Sequence, residues 1–171
     1  GVPAVYVCHN LEPHEPMPGG ARLTALALGR AAAFVVQSEA DAARLRARHP
    51  DRPIRVLLPP SEAPPSCGHP DAAACARALA LPPATRRLLF FGYVRQYKGL
   101  PTLIDALAAT PPDVQLVVAG EIYHHDAGWY RERAERAGVG GRLVVLDRFL
   151  ASREVACCFA ASDLVVLYLE S

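Results

Sequence analysis

Four short apolar runs, RLLFF (87–91), VQLVVA (114–119), RLVVL (142–146) and DLVVLY (163–168), recur through the second half of the chain. Segments of helical length separate them, at 101–109, 127–137 and 153–161, and an Ala-rich helix at about 72–79 precedes the first. Such runs have almost no polar positions, so neither face of a strand built from them can be left in water. They must be covered on both sides, as in a parallel sheet fed by helical crossovers. The expected fold is α/β, a doubly wound, Rossmann-like parallel sheet with right-handed connections. Sheets of this kind bind ligands in loops at the carboxyl ends of their strands. Here those loops are 92–100, 120–127 and 147–152.

The first third repeats the pattern on a smaller scale. A buried strand AVYVC (4–8), a polar loop HNLEPHEPMPGG, a helix across RLTALALGRAA and a strand AFVV (33–36) lead to Ser38. Ser38 suits an N-cap, with Asp41 three residues on as in a capping box, before EADAARLRAR and a short strand IRVLL (54–58). The next stretch, PPSEAPPSCGHPDAA, holds five prolines in fifteen residues and cannot sustain a ladder or a helix. It reads as an interlobe linker, 59–73, between one lobe at 1–58 and another at 74–171.

Bulk composition narrows the function. Half the residues are hydrophobic (51%), 20% are charged, and the formal net charge is +1, which argues against a nucleic-acid partner; an anion site has to be local. Five cysteines (Cys8, Cys67, Cys75, Cys157, Cys158), none in a CxxC pair, are too few for a disulfide framework in a chain this long. A reducing compartment is expected, with Cys157 and Cys158 acting as small core hydrophobes. The sequence has no leader-like start and no apolar run long enough to span a bilayer, so a soluble, cytoplasmic protein is expected. Opening on a strand and stopping just after one, the chain reads as cut at both ends.

The loop FFGYVRQYKGLPTLIDALA carries the most chemistry. Gly92 lets the backbone leave the strand tightly, and Pro101 suits the first turn of a helix, where a missing N–H costs nothing. Arg95 and Lys98 then stand beside a helix N-terminus, with its free N–H groups and partial positive charge. A phosphate or diphosphate is the expected guest. Neither GxGxxG nor GxxxxGK[ST] is present, so this is not an obvious dinucleotide fold or P-loop. In the second loop Gly120 ends a strand, Glu121 follows as a possible sugar or loop contact, and Asp126 can cap the next helix. His124 and His125 are loop neighbours without a metal-spaced partner, so they are given surface or capping duty and no metal is expected. A last polar cluster, VCHNLEPHE, puts His9 just past a strand end, followed by His14 and Glu15.

These motifs resemble the GT-B glycosyltransferases of the large retaining family 4. The resemblance rests on VYVCHNLEPHE, AAAFVVQSEAD, FFGYVRQYKGLPTLIDALA with QLVVAGE, and RLVVLDRFLASREVACCFAASDLVVLYLES, in the family's order and over most of the chain outside the linker. It implies two Rossmann-like lobes with the active site in the cleft between them. Residues 1–58 would be the end of the acceptor lobe, and 74–171 a donor lobe truncated at its C-terminus. Gly92, Arg95, Lys98 and Gly99 would hold the donor diphosphate, and His9 would be the catalytic histidine that contacts the donor sugar. Many relatives place an arginine directly after the strand glycine; here Tyr93 stands there and Arg95 takes the role from a shifted position.

The implied reaction is retaining transfer of a sugar from a nucleotide-sugar donor to a glycan or lipid-linked acceptor, without cofactor or metal. A glycine-rich loop before Gly1 and a ribose-binding turn at or after Ser171 would complete it, so this chain by itself is expected to be inactive. Some relatives work at the inner face of the membrane through basic amphipathic helices. RLTALALGRAA has only two arginines, so peripheral membrane association is an expectation of the resemblance alone. The alternatives are another GT-B enzyme, such as a sugar-nucleotide epimerase, and a non-catalytic Rossmann-like module that binds a nucleotide or phosphate.

Overall fold

Helix starts in this chain are set by local chemistry. Ser38 is extended (φ −140°, ψ 150°) and its hydroxyl accepts from the Asp41 amide at 3.1 Å, which opens the helix Glu39–Arg48. Asp71 does the same for Ala72–Ala78 through the Ala74 amide (2.7 Å), and Asp126 for Ala127–Arg136 through the Trp129 amide (2.8 Å). Each cap satisfies a backbone donor that has no partner inside its helix.

A computed structural model describes residues 2–11, 18–58, 70–84 and 86–168. The chain divides into two compact units, Gly1–Pro64 and Pro65–Ser171. His14 and Glu15 lie outside the described residues, as does most of the proline-rich stretch.

In the first unit, β1 (Val5–Cys8), β2 (Ala33–Val36) and β3 (Ile54–Val56) form a parallel sheet in that order, with α1 (Gly20–Arg30) and α2 (Glu39–Arg48) as the crossovers. Cys8 pairs with Val36 and Val36 with Val56. Phe34, Val36, Leu28, Ala42 and Leu45 make the core, each fully buried large side chain contributing about 2 kcal/mol. The expected burial of the first strand is not met. Val5 and Val7 are exposed and Cys8 alone of the four strand residues is buried; among the described residues β1 pairs with β2 alone.

In the second unit, α3 (Ala72–Ala78) precedes β4 (Arg86–Phe91), α4 (Leu100–Leu107), β5 (Val114–Ala119), α5 (Ala127–Arg136), β6 (Leu143–Leu146), α6 (Ser152–Ala160) and β7 (Leu164–Val165). The parallel sheet runs β6-β5-β4-β7. All six residues of β5 are buried. Phe90, Leu116 and Val118 share a core with Ile104 and Leu107 of α4 and Tyr130 of α5, whereas Leu89, Val117 and Ala119 share one with Cys75 and Cys158 of α3 and α6. The sheet is therefore wound on both faces, as the strand composition requires.

Two expectations need correction. DLVVLY does not form a six-residue covered strand: only Leu164 and Val165 pair, with Leu88 and Leu89, and both are exposed at the sheet edge. Cys157 is not a free thiol but is joined to Cys75, 82 residues away, because α3 and α6 pack side by side on one sheet face. Cys8 and Cys158 are free and buried. Among the described residues no helix is long and apolar enough to cross a membrane.

Candidate functional site

The sheet order places the switch point between β4 and β7. From β4 the chain proceeds outward to β5 and β6, then returns to the other side of β4. The loop leaving β4 is thus at the position where open α/β sheets bind ligands.

Two glycines shape this loop. Gly92 has φ +95° and its amide donates to the Ala119 carbonyl at 2.9 Å. Gly120, at φ +141°, passes so close that a Cβ there would stand 2.4 Å from the Gly92 oxygen. Side chains at these positions would force the loops after β4 and β5 apart. Instead they run together: Val94 donates to the Glu121 carbonyl (2.9 Å) and Tyr123 to the Val94 carbonyl (3.0 Å). Buried Val94 anchors the strip in the core.

A 3-10 turn over Gln96–Lys98 then reverses the chain, with the Lys98 amide on the Arg95 carbonyl and the Gly99 amide on the Gln96 carbonyl, both at 3.1 Å. Gly99 takes a left-handed conformation (φ 56°) and Pro101 sits in the first turn of α4, whose start no side chain caps. The turn brings the Lys98 ammonium back over Gly92, 3.3 Å from where a Cβ would be built on that glycine. Burial, and then the neighbouring charge of Arg95, push the Lys98 pKa down. The Arg95 guanidinium lies over the Tyr123 ring, 4.5 Å from its centroid, and Tyr93 meets Tyr123 edge-on at 5.1 Å. Two half-buried cations side by side at a helix start suit an anion that neutralises both.

Glu121 is half-buried and adjoins this strip through its backbone. With Gly92, Tyr93, Arg148 and Phe149 it lines a cavity of about 330 Å³ at the ends of β4, β5 and β6. One wall is fixed by a bidentate pair between Arg148 and Glu154 (3.0 and 2.5 Å). The Glu154 carboxylate also accepts from the Ala151 amide at 3.0 Å, capping α6. The Arg148 hydrogen bond, followed by that backbone amide, lowers the Glu154 pKa to about 2.

His9 lies in the other unit, exposed, just past β1. Its Nδ1 is 2.8 Å from the side-chain nitrogen of Gln37, the residue just past β2. Sequence reasoning missed Gln37 and Tyr123. A strand-end glutamine before an N-cap serine was the available signal for Gln37; for Tyr123 there was none. His125 stacks on Trp129 at 3.8 Å and the His124 carbonyl accepts from the Tyr130 hydroxyl at 2.9 Å, so this pair packs against α5. Among the described residues no group of three or more His, Cys, Asp or Glu side chains is arranged to hold a metal.

Parallel sheets, helices on both sheet faces and a glycine-shaped loop at the switch point define an α/β fold that matches the GT-B glycosyltransferases. Among solved structures, Anabaena Alr3699/HepE in complex with UDP and glucose is similar over 98% of this chain and 46% of that one, with TM-score 0.72 and 23% identity. Sucrose-phosphate synthase from Thermosynechococcus elongatus aligns with TM-score 0.68 and 18% identity over 94% of this chain and 43% of its own. WaaG, a glycosyltransferase involved in lipopolysaccharide biosynthesis, aligns with TM-score 0.63 and 20% identity over 80% of this chain and 38% of its own. At these identities the likeness is one of fold, and the chain spans less than half the length of these proteins. No family model and no curated protein matches the chain.

Proposed function

We propose that this chain belongs to a retaining glycosyltransferase of family 4, and that the loop after β4 binds the diphosphate of a nucleotide-sugar donor. The observation that carries the reading is Lys98 folded back over Gly92, with Arg95 beside it, at the start of α4. Alr3699/HepE, similar in fold, was solved with UDP-glucose, which supports a uridine diphosphate sugar as the first donor to test.

In this reading Arg95 and Lys98 grip the two phosphates, while the α4 amides face the same charge. As the sugar–oxygen bond breaks, the sugar gains oxocarbenium character and negative charge grows on the departing diphosphate. Fixed cations stabilise that state more than the ground state and so lower the barrier. Neither a metal nor a cofactor is needed for this step. His9 takes the sugar-facing role, and the acceptor is a glycan or a lipid-linked acceptor on the cytoplasmic side.

Thermal protection by UDP-glucose, GDP-sugars and ADP-sugars tests the reading, with Lys98→Ala as the control. Protection by one of them that disappears in Lys98→Ala is expected. Protection that survives the substitution overturns the phosphate assignment and leaves a binding module of another kind.

A further inference from the structure

We infer that Gln37 is a positioning residue for His9, fixing the imidazole with its proton on Nε2. The register of the first sheet creates the pair. Cys8 lies opposite Val36 in parallel strands, so the next residues, His9 and Gln37, emerge side by side from adjacent strand ends. Their side chains meet at 2.8 Å, Gln37 nitrogen to His9 Nδ1. An amide N–H can only donate, so Nδ1 must be the acceptor and the ring proton resides on Nε2.

Gln37 is itself held at its base. It immediately precedes Ser38, whose extended backbone and hydroxyl are committed to the start of α2 through the Asp41 amide and carboxylate (3.1 and 2.8 Å). The pair thus presents one defined group, the His9 Nε2–H donor, beyond β1. A donor with a fixed direction suits a hydroxyl or an anionic oxygen and not a second N–H. Resting on the transferase reading, the partner is a hydroxyl of the donor sugar.

Long-range proton–nitrogen correlation spectra of histidine-labelled chain test this at about pH 8, where an ordinary imidazole is neutral. His9→Asn identifies the His9 signals. Wild type is expected to show one tautomer, protonated on Nε2. Gln37→Ala is expected to release a mixture, and Gln37→Glu, whose carboxylate can only accept, to move the proton to Nδ1. A wild-type proton on Nδ1, meaning the Gln37 amide is turned the other way, overturns the inference, as does a Gln37→Ala spectrum identical to wild type.

No nucleotide is needed for these readings, so they stand or fall apart from the transferase reading. A second arm concerns the sugar. Gln37→Glu is expected to weaken UDP-glucose binding about 10-fold relative to UDP, about 1.4 kcal/mol. An unchanged ratio overturns the sugar-facing role.

Discussion

Beyond β4, the loop's course is set by backbone: positive φ at Gly92, Gly99 and Gly120, a 3-10 turn, and paired amides on both sides. Beyond β1, His9 is exposed and joined to Gln37 by one side-chain hydrogen bond. The first arrangement fixes two cations by where the chain must go. The second fixes one proton by what a neighbour can donate. Backbone-built sites fail when a Cβ is added, whereas side-chain-built sites keep their fold and lose only their chemistry.

The largest effect that separates the two is expected from Gly120→Ala. Its Cβ meets the Gly92 carbonyl and its φ is one that L-residues rarely adopt, so about 4 kcal/mol of stability should be lost in urea unfolding. An unchanged midpoint would mean that the two loops are not locked together. Next, reducing the Cys75–Cys157 bridge, which spans 82 residues, should lower stability by about 3 kcal/mol. The bridge lies on the α3–α6 face and the loop after β4 leads into α4 on the opposite one, so nucleotide affinity should not change by titration calorimetry.

Lys98→Ala should reverse that pattern, with the melting temperature kept and diphosphate affinity reduced by about 2 kcal/mol, or some 30-fold. The lowered Lys98 pKa adds a pH signature. In the unliganded chain the ammonium loses its proton earlier on the alkaline side than an ordinary lysine, so affinity should begin to fall below pH 10.5. For the folded chain the sign is opposite: the unfolded state holds that proton more tightly, so stability rises as pH climbs through the same window.

Glu154 gives a smaller effect. Its carboxyl is lowered from 4.5 to about 2, so its contribution is fully present above the unfolded value and is lost as pH falls through about 2. Glu154→Gln should flatten that acid limb in a pH series of melting temperatures. Smallest of all is Gln37→Ala, which removes an exposed hydrogen bond and should leave the melting temperature within error.

Local spacing carried much of the fold and part of the site. The apolar runs at 87–91, 114–119 and 142–146 foretold a covered parallel sheet because a strand without a polar face has no other stable environment. Ser38 and Asp126 announced their helices because a cap acts within four residues. Gly92, Arg95, Lys98 and Gly99 fell into one loop leading to Pro101 in the first turn of α4 for the same reason: the chemistry of a loop this short is written in neighbouring residues.

Only the tertiary structure decided the partnerships. It set the sheet edge where β7 stops after two residues, despite a sequence as apolar as that of buried β5. It put Tyr123 beneath Arg95, Cys75 against Cys157, and Gln37 against His9, pairs separated by 28 to 82 residues. Such contacts depend on strand order, register and which helices share a face, and none of these has a local signature.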